Sequence, residues 1–180
     1  MPDARPFQTQ GIHHLALVCR DMARTVDFYT RVLGMPLVKT IELPHGFGQH
    51  FFFDCGGGDQ VAFFWFPGAP EEAPGIAAPA NRPDQGDARS AIGSMNHVAF
   101  KVPTDRIDEY VQRLRAAGVE CSEVFNHDES PMGISPHLHD EVFVRSVYFR
   151  DPDGILLEFA CWTRELGPGD VRHEPARAGD

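Results

Sequence analysis

Residues 11–35 read GIHHLALVCRDMARTVDFYTRVLGM, and residues 94–119 read SMNHVAFKVPTDRIDEYVQRLRAAGV. The two stretches say the same thing twice. Each opens on a histidine and a short alternating apolar segment. Each then offers a helix-capping residue, an amphipathic run and a glycine stop. The glycine follows the histidine by 20 residues in one stretch (His14 to Gly34) and by 21 in the other (His97 to Gly118). Asp21 is placed to cap the first helix, where Met22, Val26, Tyr29 and Leu33 recur at helical spacing. Thr104 is placed to cap the second, with Ile107, Tyr110, Val111 and Leu114 on one face. These apolar positions are core.

Three strand-like runs follow each helix. After the first they are Pro36–Glu42, Gln49–Asp54 and Gln60–Phe66. After the second they are Glu120–Asn126, Phe143–Arg150 and Ile155–Cys161. Each half is therefore β-α-β-β-β and leaves one sheet face uncovered, so an α+β fold of two βαβββ modules with paired sheets is expected. The modules occupy residues 11–66 and 94–163. Residues 1–10 form an N-terminal extension. Residues 67–93, rich in proline, glycine and alanine, form a linker, and residues 164–180 a flexible tail containing His173.

Composition narrows the function classes. The chain has 180 residues and a net charge of −10. Its positive charges are scattered, which argues against nucleic acid as a partner. No apolar run is long enough for a membrane helix, and MPDARPFQTQ lacks the layout of a signal peptide, so a cytoplasmic location is expected. Cys19, Cys55, Cys121 and Cys161 form no metal-binding spacing and read as small buried hydrophobes.

One residue does not fit a plain core. Glu158 lies inside the apolar run ILLEFAC, where an unpartnered carboxylate costs several kcal/mol. His14 and His97 occupy matched positions at the start of their modules. Pseudo-twofold packing of the modules brings the two first strands into one cleft, where Glu158 can face both histidines. Two imidazoles and a carboxylate on one face are the facial triad of non-heme Fe(II) oxygenases, which leaves coordination positions open. Aligning GGGDQVAFFWF with DPDGILLEFAC sets Phe63 against Glu158, with Ala62 or Phe64 one place off, none of which binds a metal; Gln60, two or three places out of register, is the fallback, so three ligands from protein are expected.

HHLALVCRD, NHVAFKVPTD and YFRDPDGILLEF resemble the vicinal oxygen chelate superfamily, which spans glyoxalases, epimerases, resistance proteins and extradiol dioxygenases. The resemblance covers residues 11–163 and implies the paired-module fold with a metal-containing cleft. His139, seven residues, Val147-Tyr148, two residues, Asp151-Pro152, Asp153, Gly154, three residues and Glu158 match the type I extradiol dioxygenase signature. His137 stands where that signature expects a small or polar residue, so His137 and His139 compete for the histidine's role.

The resemblance implies an Fe(II)-dependent dioxygenase, with Mn(II) or another divalent metal as alternatives. It would cleave the ring of a catechol-like vicinal diol with O2. Metal ligands are His14, His97 and Glu158; His139 acts as acid/base and Tyr148 hydrogen-bonds the substrate. Partners are the aromatic diol, O2 and a second copy of the chain in a homodimer or higher homo-oligomer, and the site lies within one chain or across two. Rival readings are a glyoxalase-, epimerase- or lyase-type metalloenzyme, and a non-enzymatic binding protein of the resistance type. Of the other histidines, His13 is expected on the strand face opposite His14, His45 and His127 in surface loops, and His50 at the start of a run that can line the cleft.

Overall fold

Asp21 starts the first helix as the sequence requires. In the computed structural model, which describes residues 10–71, 90 and 92–177, its side chain accepts a hydrogen bond from Arg24 N at 3.0 Å. That satisfies one of the free amides of the first turn. The helix α1, Met22–Asp27, runs on into a single π turn at Phe28–Val32. Gly34 ends it in the left-handed region (φ 72°), as Gly118 does after α2, Ile107–Ala116 (φ 77°). Thr104 does not cap α2. Arg106 takes the cap position without a side-chain bond, because Pro103 to Arg106 first makes a turn closed by Arg106 N to Pro103 O. Thr104 Oγ1 donates instead to Trp162 O at 3.0 Å.

The first module contributes β1 (His14–Val18), β2 (Leu37–Leu43), β3 (Gly48–Gly56) and β4 (Asp59–Trp65), in the sheet order β1-β4-β3-β2. The second contributes β5 (Val98–Lys101), β6 (Phe125–His127), β7 (Ile134–Ser135), β8 (Val144–Arg150) and β9 (Leu156–Trp162), in the order β5-β9-β8-β6-β7. In each sheet the first strand runs parallel to the last and the other pairs are antiparallel. The run Glu120–Asn126 is strand only at its end. Ser122 takes Tyr148 N on its hydroxyl at 2.9 Å, so a side chain replaces a carbonyl in the ladder and regular pairing starts later. The two-residue strand β7 has no periodic signal in the sequence.

One face of each sheet feeds a common core. Leu17, Phe51, Phe53, Val61 and Phe63 from one sheet join Phe100, Val147, Phe149, Leu157 and Phe159 from the other, with the buried residues of both helices. Tyr29, fully buried, packs on Phe53 and Phe63 and donates to Asp151 at 3.4 Å, tying the modules together. The helices thus sit on the inner faces of both sheets. The opposite faces, carrying His14, Ala16 and Val18 on β1 and Ala99 and Glu158 beside β5, are turned away from this core. They do not close over one another within the chain.

The expected extension falls outside the described residues except for its last residue, as do most of the linker (72–89 and 91) and residues 178–180. Among the described residues no helix is long and apolar enough to cross a membrane. All four cysteines are free thiols, three of them buried.

Candidate metal centre

The outward face of the second sheet answers what pairs with Glu158. This residue, in the middle of β9, is 6% exposed. Its Oε2 lies 2.9 Å from His97 Nε2, just before β5. Behind the ring, His97 Nδ1 meets Asn96 Oδ1 at 2.7 Å, and Asn96 Nδ2 donates to Ser90 Oγ at 2.6 Å. The amide holds the imidazole in one tautomer with Nε2 aimed at the carboxylate, the arrangement that orients metal-binding histidines. Burial pushes the Glu158 carboxyl up, but the His97 contact and the nearby Ser146 and Tyr148 hydroxyls hold it below the usual range. The same carboxylate holds the His97 ring above its ordinary value.

Tyr148 stands directly across from Glu158 in the β8–β9 register. Burial, with the charge of Glu158, pushes its phenol up to about 12, so the hydroxyl stays a donor at neutral pH. Its Oη lies 3.4 Å from His127 Nε2. His127 is not in a surface loop. It is the last residue of β6, paired with Val144, and shares a face with Phe125, Ser146 and Tyr148. No motif marks it; the run read as a strand, Glu120–Asn126, stops one residue short of it, and its signal is the alternation with Phe125.

The first sheet presents the matching face. Ala16 pairs with Ala62 as Ala99 pairs with Glu158, and Ala62 with Phe52 as Glu158 with Tyr148. The counterpart of Glu158 is therefore Ala62, one place from the Phe63 alignment, and it brings no ligand. His14 lies on this face against Phe52 and His50, with ring centroids 5.5 and 6.4 Å away. His13 precedes the strand, so strand alternation does not govern it, and its Nδ1 meets His14 Nδ1 at 2.8 Å. His45 is exposed, as expected.

His139 belongs to a different cluster. Its Nε2 is 3.2 Å from Asp128 Oδ2 and 3.0 Å from Ser135 Oγ, and its Nδ1 accepts from Glu141 N at 3.3 Å. Ser130 Oγ donates to Asp128 at 2.6 Å and Ser135 Oγ also bonds it. These two hydroxyls, ahead of the other contacts, hold the carboxyl well below its usual range. One imidazole nitrogen serves both serine and aspartate, so this is a loop clasp and not a nucleophile relay. His137 is exposed nearby.

The chain thus brings His97, Glu158 and Tyr148 together, with His14 and His139 elsewhere. Among the described residues no three of its His, Cys, Asp and Glu side chains converge as a metal requires. The donor chemistry still fits a divalent ion: a buried carboxylate and an oriented imidazole point at one spot, and a second imidazole stands at the equivalent position of the other sheet.

Residues 11–159 match the Glyoxalase/Bleomycin resistance protein/Dioxygenase superfamily. The "Putative ring-cleaving dioxygenase MhqE" of Bacillus subtilis is 29% identical over 121 residues, covering 65% of this chain and 35% of that protein. The chain thus spans only about a third of that relative. The metallothiol transferase FosB of Shouchella clausii is 27% identical over 82% of this chain and 77% of its own. The crystal structure of the fosfomycin resistance protein FosX from Listeria monocytogenes, complexed with Mn(II) and sulfate, has a TM-score of 0.54 at 19% identity. That likeness covers 87% of this chain and 95% of that one and shows the fold alone.

Proposed function

The chain belongs to the Glyoxalase/Bleomycin resistance protein/Dioxygenase superfamily, and from that premise we propose that it is a divalent-metal enzyme that opens the ring of a catechol-like diol with O2. The observation that carries the metal reading is the His97–Glu158 pair, oriented from behind by Asn96. His97 and Glu158 of one copy and His14 of a second copy would hold the ion. The two outward faces then meet in a homodimer, which covers sheet surface that one chain leaves open.

Fe(II) in such a two-histidine, one-carboxylate set supplies open positions for the diol oxygens and for O2. The remaining work falls to this chain's side chains. Tyr148, kept protonated, donates a hydrogen bond to a substrate oxygen beside Glu158. His127, next to the Tyr148 hydroxyl, accepts or returns a proton there, while the His139 ring is held on Asp128 and Ser135. Phe52 and Phe64 on one face and Phe125 on the other give flat apolar walls that suit an aromatic ring and exclude water.

Oxygen uptake by anaerobically Fe(II)-loaded protein, given catechols, tests this reading, with Glu158→Ala as the control. Uptake with a new ring-opened chromophore, absent in the control, is the expected result. Metal binding without uptake would instead favour group transfer of the kind named for FosB, the relative whose length this chain covers more fully.

A further inference from the structure

Ser146 stands beside Glu158 with its hydroxyl unused. It lies in the interior of the second sheet, paired with Phe125 of β6 on one side and Ala160 of β9 on the other. Tyr148, two residues along β8, faces Glu158. Ser146, Tyr148 and Glu158 therefore share the outward face, and Ser146 is the diagonal neighbour of Glu158, within reach of so long a side chain. Ser146 is fully buried, and its Oγ has no hydrogen-bond partner. Burial raises the Glu158 carboxyl, and the nearness of this hydroxyl, after the His97 contact, counters it. No contact of the hydroxyl reaches hydrogen-bonding distance and angle.

A buried hydroxyl without a partner costs free energy until something completes it. Substrate cannot do so, because Ser146 has no exposed surface. The carboxylate can, since an ionised Glu only accepts hydrogen bonds. In the metal-free chain Glu158 gives Oε2 to His97. With one carboxylate oxygen on an ion, the other is left as a buried acceptor. A hydroxyl bonds an ionised acceptor more strongly than a neutral phenol, which favours Glu158 over Tyr148. We propose that Ser146 is a positioning residue of the metal centre: its hydroxyl donates to the Glu158 oxygen left off the ion and fixes the carboxylate as a one-oxygen ligand. A carboxylate free to turn would take a second coordination position with its other oxygen. Ser146 thus keeps that position open for substrate. The role rests on the metal reading of the His97–Glu158 pair.

Titration with Mn(II), followed by the electron paramagnetic resonance of the bound ion, tests the role in wild type, Ser146→Ala and Ser146→Thr, alongside denaturant unfolding of the metal-free proteins. Ser146→Ala removes a hydroxyl that nothing satisfies in the metal-free chain, so its unfolding midpoint should hold or rise. Its Mn(II) affinity should nevertheless fall about 10–100-fold, with an altered spectrum as the carboxylate changes its mode of binding. Ser146→Thr keeps the donor and should keep the wild-type spectrum. Wild-type affinity and spectrum in Ser146→Ala overturn the role. So does an affinity loss that accompanies a lower metal-free midpoint and that Ser146→Thr fails to reverse, because a packing defect then explains it. A wild type that binds no Mn(II) overturns the metal reading first, and this role with it.

Discussion

Glu158 and Asn96 carry the chemistry at the residue scale, and they do so unequally. Replacing Glu158 by alanine removes a ligand candidate outright and should abolish stoichiometric Fe(II) or Mn(II) binding. Asn96→Ala leaves every donor in place but frees the His97 ring, so metal affinity measured by titration should drop about 10–100-fold. An unchanged affinity would mean that the Asn96 contact does not orient a ligand. Asp151 gives a separate pH signature. Burial raises its carboxyl to about 6, against the amides of Ile155 and Asp153 that it accepts. A folded-state pKa above the unfolded one means that the native protein binds the proton more tightly. This contribution is therefore present near pH 4 and lost as pH rises through 6. Denaturant unfolding of wild type and Asp151→Asn at pH 4.5 and 7.5 should show wild type losing on the order of 2 kcal/mol relative to the variant. Parallel pH profiles would contradict it.

Strand contacts set the next scale, and Gly48 is the position where they are tightest. It opens β3 at φ 143°, and a Cβ there would run into the Trp65 carbonyl of β4. Gly48→Ala should therefore cost about 2 kcal/mol or more in denaturant unfolding, through strain and a backbone clash. What the sequence disclosed at this scale follows from what fixes each feature. Asp21, Gly34 and Gly118 act through their own backbone, so cap and stops were legible. Thr104 was not, because a turn intervened and its hydroxyl found Trp162, a partner 58 residues away in sequence. The matched histidines and Glu158 stood out against apolar neighbours. The Ala62 register is a property of strand pairing, which no single strand encodes to the residue. His127 stayed hidden because the apolar run that reads as a strand, Glu120–Asn126, ends one residue before it, and the polar NHDES that follows reads as a loop; the Asp128 clasp on His139 depends on a loop geometry with no local signal.

The repeat in the sequence announces pseudo-twofold pairing of modules, and at the scale of the whole molecule the question is which modules pair. In one chain the two sheets meet through their helices, and the faces with His14 and with His97–Glu158 look outward. In the proposed dimer each metal therefore lies between two copies. Mixing His14→Ala and Glu158→Ala proteins, after unfolding and refolding together, decides it by stoichiometry. Neither variant alone has a complete site. In a mixed dimer, the intact His14 of one chain meets the intact His97 and Glu158 of the other. Half the dimers are mixed and each regains one of two sites, so titration with Fe(II) or Mn(II) should recover about a quarter of the wild-type binding sites. Recovery at that level is the predicted result. No recovery in a mixture shown to contain mixed dimers, or full binding by the His14→Ala protein alone, would contradict it.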